Sequence, residues 1–187
     1  MNSPTEVVLL YFILPLWLAA GIADWLCHRG AHIESTTGVK ESLLHLLMFA
    51  EVGIALLAGL FLQINAGVIA LMILSFFAHE ATALWDVSYA VTAREVTPLE
   101  QHIHSFLELL PLLAIVCVVL LHWDQFRALL GLGPEVAHFT LQLKSPPLPT
   151  AYVSALLTAV VLLEVLPYLE ELLRGWRARG ERAATGH

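Results

Sequence analysis

The chain has 187 residues, of which 58% are hydrophobic and 13% charged, with a formal net charge of −7 and a mean hydropathy of +0.77. That balance excludes an ordinary soluble domain and fits an integral membrane protein. The basic residues are few and gathered toward the C-terminus, which leaves no nucleic-acid footprint.

Five apolar windows approach the ~20 helical residues needed to cross a hydrocarbon core. They cover residues 7–27, 42–62, 66–89, 99–121 and 151–173. The first is too long for a secretory leader and carries Glu6 where a basic flank belongs, so it is read as a span. At ~100° per residue, Asp24 and His28 share one face of it, and His32 continues the stripe. Cys27 at its end and Cys117 in the fourth window suggest no disulfide framework.

Glu41 and His45 repeat the i, i+4 spacing at the start of the second window, whereas Glu51 is rotated by about 80°. QINAG (63–67) is short enough to make windows two and three a hairpin. On the third, His79 and Asp86 stand seven apart with Thr82 between them, and Glu80 points about 100° away. Thr97-Pro98-Leu99-Glu100 has the form of a capping box with proline at the first helical position. Glu100, His104 and Glu108 then form one stripe, with His102 nearly opposite.

Residues 122–150 are expected to be an external loop, with a short interfacial helix at WDQFRALLGL (123–132) and an extended approach through KSPPLPT. His122 and His138 are read as loop residues. Glu164 is the one acidic residue well inside the fifth window. Residues 174–187 are expected to be a basic tail.

Five spans place Arg29, Lys40, Arg94, Arg174, Arg177, Arg179 and Arg182 on one side, and Arg127 and Lys144 on the other. The positive-inside bias makes the first side cytoplasmic, with the N-terminus outside and the C-terminus inside. The expected fold is therefore an all-α integral membrane protein of one transmembrane domain, 1–187, with the first four spans forming a metal-binding four-helix bundle.

Ionisable side chains in a bilayer cost a few kcal/mol unless compensated. Here nine of them fall in the cytoplasmic half of the first four spans. Asp86, His28, Glu41 and Glu100 form a shallow layer; His79, Asp24, His45, His104 and Glu108 lie deeper. A divalent cation turns mutual repulsion among such groups into coordination, and two layers suit two ions. Mixed imidazole and carboxylate ligation with almost no thiolate fits iron best, then zinc or manganese. His32, Thr82, His102, Glu51 and Glu80 are assigned supporting or supplementary positions, and Arg94 a substrate headgroup.

HRGAH (28–32) matches the HxxxH box of the histidine-cluster membrane hydroxylases and desaturases, while HE (79–80) and HIH (102–104) echo their later boxes. Over roughly residues 24 to 108 the chain resembles these non-haem di-iron enzymes in site type. Only His28 and His32 carry over as box residues. The carboxylate-rich ligand set is also similar to that of the ferritin-like di-iron proteins, without their ExxH spacing in the spans. The resemblance implies oxygen activation by di-iron and a hydrophobic or lipid-like substrate reached from the cytoplasmic side. With no flavin, haem or nicotinamide motif in the chain, a separate electron-donor protein is implied. Two other functions fit the same residues: a zinc-dependent membrane hydrolase, in which the metal lowers the pKa of bound water, and a metal or proton transporter.

Overall fold

The structure, a computed structural model, describes residues 3–185. The described residues form helices α1 (Pro4–Gly30), α2 (Val39–Phe61), α3 (Ala66–Ala90), α4 (Pro98–Leu121), α5 (Trp123–Leu129) and α6 (Thr150–Ala184). All but α5 are long and apolar enough to cross a membrane. Among the described residues there is no β-strand, only a single antiparallel bridge between Leu62 and Leu143.

Local chemistry sets the helix ends. Ser3 and Glu6 form a capping box around Pro4, which starts α1 before the expected residue 7. Asn65 caps α3 by accepting from the Val68 amide, and Thr97 forms the capping box of α4. α2 starts after Gly38, whose φ of 62° lies in the left-handed region that glycine tolerates. Gly175 of α6 passes this turn so closely that a Cβ there would sit 3.2 Å from the Val39 nitrogen.

The expected basic tail is instead a continuation of α6. Arg174 is ion-paired with Glu34, and Arg182 donates to the Glu34 carbonyl at 2.7 Å, so the arginines dock this end of the helix onto the Ile33–Ser35 turn. Trp25 and Arg29 both donate to Glu170, adding a second tie between α1 and α6.

α1 packs against α4 and α6, α2 packs against α3 and α6, and α3 packs against α4. The fifth long helix therefore stands between α1 and α2, where the sequence reading had the first four helices closing on one another. Two features of α6 account for this. At one end its Leu156 joins Leu10, Leu14 and Leu18 of α1 and Leu60 of α2 in an apolar core. At the other, its polar stripe of Glu164, Tyr168 and Glu171 is buried against α1 and α2. Apolar burial at ~25 cal/mol per Å² and satisfaction of buried polar atoms thus favour the same placement.

Residues 130–149 form an extended strip across the α2–α3 hairpin. The amides of Gly67 and Gln63 donate to the carbonyls of His138 and Gln142, and Lys144 N–H donates to the Phe61 carbonyl. Gln125 of α5 caps this arrangement, accepting from the Ala66 and His138 amides.

Candidate metal centre

The ends of α1 and α3 and the beginnings of α2 and α4 meet at one end of the helix assembly. Asp24, His28, Glu41, His45, Asp86, Glu100 and His104 converge there, although the turn and loop between their helices separate them in sequence. His28 and Glu41 have 0% relative exposure and Glu100 has 1%.

The imidazoles of His28 and His45 stack face to face, 4.2 Å apart and 7° from parallel. On one edge, His28 Nδ1 lies 3.1 Å from one Glu171 carboxylate oxygen and His45 Nδ1 lies 2.8 Å from the other. A carboxylate only accepts, so each Nδ1 carries the proton and donates. In the neutral rings that a metal requires, this tautomer leaves both Nε2 lone pairs on the opposite edge, where neither nitrogen has a hydrogen-bond partner although both are fully buried.

Carboxylates face those lone pairs. His28 Nε2 is 3.4 Å from Asp24 and 3.5 Å from Glu100. His104 Nε2 reaches the same Asp24 oxygen at 3.0 Å. On the other half, His45 Nε2 is 3.9 Å from Glu41 and 3.4 Å from Asp86. Asp24, His28 and His104 bring ligand atoms within 4.8 Å of one another, as do His28, Glu41 and His45. The 4.2 Å ring spacing is close to the roughly 3.5–4 Å between ions in two-metal sites.

Arg94, expected to hold a substrate headgroup, is inside this network. It donates to Glu100 at 3.0 Å and to Glu41 at 3.2 Å, bridging the two from the α3–α4 loop. Burial works against its charge, but the Glu100 and Glu41 carboxylates outweigh burial and hold its pKa above the ordinary arginine value. With the imidazoles neutral, the five carboxylates Asp24, Glu41, Asp86, Glu100 and Glu171 leave four negative charges beyond Arg94. Two divalent cations would neutralise them. The orphaned Nε2 atoms, the carboxylate fixing the other ring edge and this charge excess together fit a metal pair.

The remaining expected site residues fall elsewhere. His79 is buried beside the cluster, and its Nδ1 has no hydrogen-bond partner. Glu108 is exposed. His32 lies past the end of α1 in the left-handed region, φ 52°, and pairs with Glu34 while 75% exposed. It therefore points away from His28, because α1 stops one turn too early for the HxxxH stripe to continue. His102 packs edge-on against Phe106 on the exposed side of α4. Thr82 donates to Glu51 at 2.9 Å, a separate α2–α3 bond. Glu80 is half-buried with one carboxylate oxygen unpartnered.

Glu171 and Tyr168 were not anticipated from the sequence. Tyr168 shares its hydroxyl proton between the Gly21 carbonyl and Asp24, each at 3.3 Å. Their signal was the one already used for His79 and Asp86: Glu164 and Glu171 are also seven apart, with Tyr168 between them. Glu164 sits in a π-helical segment, Val161–Val165, a local form frequent at functional sites. Its carboxyl lies against Gly21 of α1, where any Cβ would collide with it.

From the cluster a cavity of about 250 Å³ extends toward the other end of the molecule. Asp24, His45, His79, Asp86, His104, Glu108, Glu164 and Tyr168 are its polar lining. Its other walls are apolar, among them Leu18, Phe49, Val52 and Leu107. No protein-family model, curated protein or solved structure matches the chain.

Proposed function

We propose that the protein is an integral membrane oxidoreductase whose di-metal centre, most simply di-iron, hydroxylates or desaturates a hydrophobic substrate. The N-terminus lies outside, and the C-terminus and metal centre lie in the cytoplasmic half. The observation that carries this reading is Glu171 accepting from both His28 and His45, which leaves two buried Nε2 atoms aimed at carboxylates from four helices. Such a carboxylate–histidine pairing is the usual support of a metal-bound imidazole.

Bound iron would supply the one-electron steps that let dioxygen react with a C–H bond. In hydroxylation one oxygen atom enters that bond and the other leaves as water, with two electrons and two protons delivered through a separate donor protein. The chain's own groups set the conditions. Asp24, His28, His104 and Glu100 would hold one cation, and Glu41, His45 and Asp86 the other. Arg94 offsets the charge of Glu41 and Glu100. Tyr168 keeps Asp24 oriented by its hydrogen bond. The apolar walls exclude water, which strengthens electrostatics inside the site.

The same walls argue against transport. A hydrated ion leaving the cluster would meet hydrocarbon, whereas a lipid-like substrate finds a matched cavity. Elemental analysis of purified protein tests the proposal and is expected to give close to two metals per chain. His45→Ala and His104→Ala should each remove at least one. Unchanged metal content in both variants would overturn the assignment. Iron with an optical band that bleaches on reduction separates the oxidoreductase from a zinc hydrolase.

A further inference from the structure

The cavity beside the metal cluster is not the whole internal space. A second cavity of about 140 Å³ continues toward the opposite end, and both are lined by Trp17, Val52 and Leu56. These three side chains form the partition between them. Beyond it, the walls are apolar side chains of α1, α2, α3 and α4, among them Leu10, Leu60, Phe76 and Ile115, until Glu6, His122 and Lys144. Along α1, the eighteen positions from Glu6 to Asp24 correspond to about 27 Å at 1.5 Å per residue. The molecule thus contains a narrow apolar path with metal-ligand chemistry at one end and a lysine ammonium beside an imidazole at the other.

The far end is a constructed feature. The extended strip 130–149 is bonded to the α2–α3 hairpin on both sides of the Leu62–Leu143 bridge, which places Lys144 over the cavity. Lys144 Nζ donates to the Gly59 carbonyl at 2.7 Å. An ammonium has three donors, so two remain for a ligand. His122 faces the same space. Glu6 also lines it, but one of its carboxylate oxygens is engaged by the Ser3 amide in the cap of α1. One ammonium and one imidazole beside a carboxylate suit a singly charged anion better than a phosphate dianion.

We propose that this path binds a single unbranched long-chain carboxylic acid, its carboxylate at Lys144 and His122 and its hydrocarbon chain passing the Trp17–Val52–Leu56 partition. The end of the chain remote from the carboxylate then lies at the metal cluster. Binding is a property of the path itself; only its link to oxidation rests on the di-metal reading.

Trp17 at the partition provides the probe. A long-chain acid carrying a mid-chain nitroxide is titrated into the full-length protein in phosphatidylcholine nanodiscs, as purified and again after chelation. Saturable quenching is expected in both, with the quenched component absent from Trp17→Phe. Palmitic acid should compete and its methyl ester should not. Lys144→Met should weaken binding about tenfold or more, the scale of a lost charge-assisted hydrogen bond. Leu56→Trp should abolish quenching while short acids confined to the outer cavity still bind. Equal competition by acid and ester, or binding unchanged in Lys144→Met, would mean a bilayer chain intruding and would overturn the proposal. Because chelated protein is included, failure here is distinguishable from failure of the metal assignment, which elemental analysis decides.

Discussion

The two halves of the cluster are built alike yet furnished differently. Each has a stacked imidazole held at Nδ1 by one oxygen of Glu171, with a carboxylate four residues earlier on the same helix. The His28 half adds Glu100 and a second imidazole, His104. The His45 half adds only the carboxylate Asp86. His79, the imidazole that would balance the pair, is buried beside the cluster with its Nδ1 unpartnered. Two ions held this way would be inequivalent, one with two nitrogens and one with a single nitrogen, and softer metals would favour the first.

Substitutions at the shared support bear hardest on that comparison. Glu171→Ala removes the acceptor for both rings and should empty both halves, with metal affinity down about 10–100-fold. It should also destabilise the chain by about 1–3 kcal/mol for each Nδ1 donor left buried and unpaired. Glu171→Gln is sharper, because an amide offers one oxygen and one NH₂. His45 makes the shorter bond, 2.8 Å against 3.1 Å, so the oxygen should stay with His45 and the His28 half should be lost. Metal counts of two in both variants would show that Glu171 plays no part in binding.

His104→Ala should remove one metal and leave the other, because His104 touches only the Asp24 side. Loss of both would mean that the halves bind as one unit.

Arg94→Ala should have a smaller and conditional effect. It strips the counter-charge from Glu41 and Glu100, so the melting temperature should fall by several degrees in chelated protein and by less in metal-loaded protein. An equal fall in both states would mean that metal does not share the burden with Arg94. Last, His32→Ala should change neither metal content nor stability, since its ring is exposed and contacts only Glu34.

Much of this was legible in the sequence because helical spacing is local. Asp24/His28, Glu41/His45 and Glu100/His104 each reach the cluster from the face that an i, i+4 count assigns. The stripe reaches His32 only if α1 lasts that far, and the helix ends at Gly30. At Glu108 the count gave the cavity-facing side of α4, though the carboxyl is exposed there rather than buried among the ligands. Glu100 shows how one side chain can satisfy two readings. Its carboxylate completes the capping box with Thr97 and also meets Arg94 and His28.

The sequence by itself determined five long apolar helices, their caps and the acid–imidazole stripe on each of the first four, because propensity, capping and periodicity act within a few residues. Only the tertiary structure decided that α6 stands between α1 and α2 and that Glu171 meets His28 and His45 across 143 and 126 residues. Which stripes face one another depends on how whole helices pack, and no spacing within a single helix encodes that choice.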